Sequence, residues 1–162
     1  MDIKTTAWAV GVLGGYGRLM KNGIDYFAKK FISEFQVSRY KFDVDTDNAK
    51  SIMSDYYLRP VWCCPLEKLL IAGSDVGRIK KHISFAEDMY SNGDDEIKGI
   101  VQWVMLEYFV GLHDIGMRTK FYKYLSQNLY EATIEVEIHL KDIHDKLYPK
   151  LNYRLYSAKY VR

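Results

Sequence analysis

The sequence predicts an all-α single domain of six or seven helices built from antiparallel helical hairpins, and three observations carry that prediction. Apolar residues recur at i, i+3, i+4 and i+7 along most of the chain, the spacing that lines one face of a helix. A length of 162 residues suits one core rather than two. Breaking signals, including only three prolines, separate the periodic runs by a few residues each, as antiparallel neighbours require.

In chain order, the apolar run "TTAWAVGVLGG" is short and interrupted by glycine, which reads against a signal peptide. No other run approaches the roughly 18 to 20 apolar residues of a membrane span, so the expected setting is soluble and cytoplasmic. The glycines from Gly11 to Gly23 lack the Gly-Lys-Ser/Thr of a Walker loop and the third glycine of a dinucleotide loop, and read as a flexible turn between helices. Ile24, Phe27, Ala28, Phe31 and Phe35 line the first clear helix. Ala49, Ile52, Met53 and Tyr56 line a shorter one, with Asp47 as its N-cap and Arg59-Pro60 as its stop. Pro65 can open the next helix and Gly73 close it. Val76, Ile79, Ile83, Ala86 and Tyr90 then line a helix ending at "SNG". Asp94 or Asp95 caps its partner, lined by Ile97, Ile100, Val101, Val104 and Tyr108 and closed by Gly111. Phe121, Leu125 and Leu129 predict a further helix. Residues 133–147 are ambiguous, because Ile134, Val136, Ile138 and Leu140 alternate with polar residues as in a strand, while Val136, Leu140, Ile143 and Leu147 share a helical face. A lone strand among helices has nothing to pair with, so this segment is read as a helix. Pro149 opens a basic end, residues 149–162, read as a loose or docking arm.

Charge is unevenly placed. Glu87 to Asp114 holds seven acids against Lys98 alone, whereas Lys146 to Arg162 holds five bases and no acid. Such a split favours charged partners. The basic end interleaves Tyr153, Tyr156 and Tyr160, but five charges without a motif make a thin nucleic-acid footprint, and no nucleic-acid or membrane partner is expected. The two cysteines, Cys63 and Cys64, are adjacent, which gives neither a staple nor CxxC spacing and fits a reducing compartment.

Several motifs can be weighed against plain structural readings. "DVDTDN", Asp43 to Asn48, starts like a calcium loop, but Asn48 stands where the turn glycine belongs and Ser54 where the bidentate Glu belongs. Arg78 and His82 read as surface residues. "HDIG" offers His113-Asp114, which with His82 and Asp142 gives the alternative of an HD-like metal-dependent phosphohydrolase, where carboxylates and imidazoles hold metal ions that activate water. Against it stand the absence of further ligands and of a substrate-gripping Arg.

The run "GRIKKHISFAEDMYSNGDDEIKGIVQWVMLEYFVGL", Gly77 to Leu112, and the following "KYLSQNLYEATIEVE" resemble small all-helical bacterial immunity proteins, including those paired with contact-dependent growth-inhibition toxins. The shared pattern is an amphipathic helix with "FAE", a turn reading "NGDDEI" and an apolar helix closing near Glu107, over about residues 77–140. The resemblance implies a protein that neutralises a cognate toxin, with a nuclease the expected kind, by covering its active site or substrate surface, without catalysis, metal or cofactor and with a homodimer open. Immunity proteins of nucleases present acidic patches to basic clefts, which makes Glu87, Asp88, Asp94, Asp95 and Glu96 the expected toxin-binding residues.

Overall fold

The computed structural model describes residues 21–35, 48–111 and 115–147. About 86% of them are helical, and the fold is all-α. Helix α1 (Ile24–Phe35) turns Phe27, Ala28 and Phe31 inward, as the periodicity predicts. Helix α2 (Ala49–Ile52) is capped by Asn48, whose side chain accepts a hydrogen bond from the Ser51 amide, so the cap falls one residue beyond the expected Asp47. Helix α3 (Asp55–Leu58) runs without a break through a π-helical turn, π1 (Arg59–Cys63), into α4 (Cys64–Ala72). The expected stop at Arg59-Pro60 is therefore overturned. Proline cannot donate to the carbonyl four residues back, and here the chain widens instead: the Cys64 amide donates to the Arg59 carbonyl, five residues back. Continuing the helix buries Tyr57 and Leu58 and leaves Tyr56, expected on the inner face, 64% exposed. Gly73 ends α4 in the left-handed conformation, φ 65°, its amide bonded to Leu69 O as expected.

The hairpin is α5 (Val76–Asn92) against α6 (Asp95–Ile100), which passes through a second π-helical stretch, π2 (Val101–Leu106), into α7 (Glu107–Val110). Asp75 caps α5 and Asp94 caps α6, each accepting from the amide three residues on. Gly93 between them is obligatory on packing grounds, because a Cβ there would run into Ile97 and the Met89 carbonyl. Residues 21–23 close over this turn: the Asn22 amide donates to Asn92 O (2.9 Å) and its carbonyl accepts from the Asp94 amide (3.0 Å).

Helix α8 (Ile115–Tyr122) is followed by a turn at residues 123–126, so Leu125 is buried in a connection rather than in one helix with Phe121 and Leu129. Helix α9 (Gln127–Leu147) settles the ambiguous segment as helical. Its inner face is Leu129, Ala132, Thr133, Val136 and Glu137, with Leu140 half-buried; Ile143 and Leu147, expected to pack, are exposed because the helix runs past the core.

One apolar core joins these elements. Phe31 stacks on Phe85 (5.7 Å between centroids), Trp62 meets Phe109 edge-on (6.0 Å), and Phe109 stacks on Phe121 (4.2 Å). The fully buried Trp62 is also satisfied at its polar end, its Nε1–H donating to the His82 carbonyl at 3.0 Å. Thus α1, α5, π1, α7 and α8 are tied through aromatic contacts made across the chain.

Candidate protein-docking site

The five expected toxin-binding acids are not equivalent in the fold. Glu87 is half-buried and its Oε1 accepts from the Ser126 amide (2.8 Å), fastening α5 to the start of α9. Asp88 pairs with Lys30 of α1 and accepts from Asn92 Nδ2 (2.7 Å). Burial pushes the Asp88 carboxyl up, but the hydrogen bonds from Lys30 and Asn92 and the Lys30 charge outweigh it and hold the group below its usual range. The same bond to Asp88 holds Lys30 above its usual value. Asp94 is engaged in capping, Oδ1 to the Ile97 amide at 3.0 Å. Asp95 and Glu96 remain exposed, Glu96 with a loose contact to Lys50 at 3.9 Å.

The residues of the phosphohydrolase alternative separate differently. His82, read from sequence as a surface residue, is buried: Nδ1 lies 2.8 Å from Arg78 O, and the ring packs edge-on to Phe35 (4.9 Å). Burial, reinforced by the charges of Arg78 and Lys81, lowers its pKa from the ordinary 6.5. Asp142 is exposed on the outer part of α9. His113 and Asp114 lie outside the described residues, as do the "DVDTDN" acids before Asn48 and the basic end. Among the described residues no three of His, Cys, Asp and Glu come together as a metal-holding group.

Glu96 opens onto a groove of ≈ 390 Å³ between the start of α1, the α2–α3 corner and the α6–π2 helix. Ile24, Met53, Ile100 and Val104 make its apolar surface, and Trp103, 41% exposed, stands at its side. The rim carries Lys50, Asp55, Arg59 and Glu96 in two loose pairs, Lys50–Glu96 and Arg59–Asp55, each at 3.9 Å and each more than half exposed. Such pairs contribute little to folding and can exchange partners readily. Both π-helical stretches border this groove, π1 through Arg59 and π2 through Trp103 and Val104. Widened turns of this kind are frequent at functional sites. Trp103 is braced from α9 by an edge-on contact with His139 (4.8 Å), beside the Gln102–Glu135 hydrogen bond (2.9 Å). Sequence reasoning found Glu96 by charge and missed Trp103 and Arg59; the signal available was Trp103 standing at a position where the apolar face predicted by Ile100, Val101 and Val104 does not need it.

A second polar cluster joins α4 to α7: Tyr108 Oη donates to Glu67 Oε2 at 2.5 Å and lies 3.6 Å from Cys64 Sγ. Burial and then the Glu67 bond push the Tyr108 phenol far up, so it stays protonated and bridges the two helices. Burial likewise pushes the Cys63 thiol up, which leaves it an inert core residue.

The described residues form an all-helical domain with an open, apolar-lined groove. The chain belongs to the family described as Domain of unknown function (DUF7674), whose profile matches residues 39–141. That span contains the acidic turn and every groove residue named above except Ile24. No curated protein and no solved structure matches the chain.

Proposed function

We propose that this protein is a cytoplasmic immunity protein, which binds a cognate bacterial toxin through the groove beside Trp103 and Glu96 and so covers the toxin's active or substrate-binding surface. The observation that carries the reading is the meeting of both π-helical stretches, an exposed Trp and an exposed Arg at one apolar groove. Trp and Arg are enriched at interface hot spots: Trp buries large area with only two rotatable side-chain bonds, and Arg offers a planar, multidentate hydrogen-bonding cation. The exposed carboxylates Glu96 on the rim and Asp95 beside it in the acidic turn suit a basic toxin such as a nuclease, steering it by long-range attraction. The resemblance of residues 77–140 to immunity proteins supports the same role.

The test is protection. A toxin domain encoded by the reading frame beside this gene is expressed in cells with and without the full chain; survival only with the chain, and a complex of the two purified proteins, are expected. Killing that proceeds in the presence of folded chain overturns the immunity role. Stoichiometric Mn, Fe, Ni or Zn in the purified chain, lost on His113→Ala, would point to the phosphohydrolase instead.

A further inference from the structure

The corner between α4 and α5 is the most exposed stretch of the described chain, with residues 71–74 and 76–78 all open to solvent. Its apolar members are large: Ile71 is 59% exposed and Val76 42%. Gly73, in the left-handed conformation, turns the chain between them so that both sit at one end of the packed α4–α5 pair. Lys68 stands three residues before Ile71 and Lys80 four after Val76, hence on the same helical faces one turn behind. Arg78 is exposed on the same first turn of α5. Among the described residues, Lys68, Arg78 and Lys80 make no ion pair. The one acid between Lys68 and Lys81, Asp75, is committed to capping α5. Lys81 is tied to Glu34 O at 2.7 Å and is not counted with them.

We propose that this corner docks peripherally on an anionic lipid surface, with Ile71 and Val76 entering the interfacial layer and Lys68, Arg78 and Lys80 meeting the headgroup charge. Exposed aliphatics backed by bases are the arrangement that anionic membranes bind, apolar area and electrostatics acting together. A protein partner is the weaker fit, since the corner is a convex turn without an aromatic anchor. No described helix is long and apolar enough to cross a membrane, so the contact is peripheral. In sequence, Gly73, Ser74 and Asp75 separate Ile71 from Val76; the turn places both at the same end of the α4–α5 pair.

The test is flotation of the full chain with vesicles of phosphatidylcholine alone, and of phosphatidylcholine with about one-third phosphatidylglycerol, at low salt. The bound fraction should be at least about tenfold higher on the anionic vesicles. Ile71→Asp/Val76→Asp and Lys68→Glu/Lys80→Glu should each abolish most of that difference while helical circular dichroism is kept, since all four positions are exposed. Trp103→Ala should bind vesicles as the parent does, which separates this corner from the groove. Equal, weak binding to both vesicles overturns the proposal, as does undiminished binding by the Ile71→Asp/Val76→Asp variant. Capture of the corner by an acidic protein with no vesicle binding would assign it to a protein partner and equally overturn it.

Discussion

At the residue scale, the decisive positions are those where a side chain has one environment to satisfy. Gly93 has no room for a Cβ against Ile97 and the Met89 carbonyl. Gly93→Ala should therefore lower stability by about 1–3 kcal/mol in urea unfolding, because overpacking must be relieved by shifting the hairpin turn. His82 and Glu137 set opposing pH dependences. Burial lowers the His82 pKa from 6.5, so as pH falls below 6.5 the unfolded chain binds the proton first and stability is lost on acidification toward the native value. Glu137, 1% exposed, has its carboxyl raised above 4.5 by burial, against the hydrogen bond from Tyr122 and the charge of Arg118. Here the native state binds the proton first, so stability rises as pH falls through the native value and levels off below 4.5. In unfolding series between about pH 4 and 7, His82→Phe should flatten the decline and Glu137→Gln should abolish the rise. The same curves from parent and variants would show that neither group titrates differently on folding.

At the element scale, the sequence made the hairpin and the last helix legible, and did so for a physical reason. Both are long amphipathic segments whose faces are filled within the segment itself, as Ile79, Ile83 and Ala86 of α5 and Leu129, Ala132, Thr133 and Val136 of α9 show. Pro60 predicts a stop because it lacks an amide hydrogen, whereas a π turn accommodates it and keeps the rod running to Ala72. Ile143 and Leu147 continue the inner face in sequence, but the length of α9 exceeds the core it lies on. The acids were visible as a cluster; their roles were not, because Glu87 is used by Ser126, 39 residues away, and Asp88 by Lys30, 58 away. Asp94 belongs with the element and not the site. Asp94→Ala should cost about 1 kcal/mol of stability, the usual loss of an N-cap, while leaving toxin affinity within about twofold. A large loss of affinity at unchanged stability would move Asp94 from cap to interface.

At the scale of the whole molecule, one aromatic core supports two separate surfaces, the groove beside Trp103 and the α4–α5 corner. The groove carries the central claim: its residues hold little of the fold together, since Trp103, Arg59 and Glu96 are exposed and their ion pairs loose, so what they offer is directed outward. The most direct measurement is the dissociation constant of the purified chain for a toxin domain against which it protects cells, by titration calorimetry, for the parent and for Trp103→Ala and Glu96→Lys. Truncation of an interface anchor costs about 2 kcal/mol or more, so Trp103→Ala should weaken binding roughly thirtyfold, with Glu96→Lys weakening it further as salt is lowered, both at parental stability. Trp103→Ala and Glu96→Lys binding as tightly as the parent would contradict the groove as the docking site.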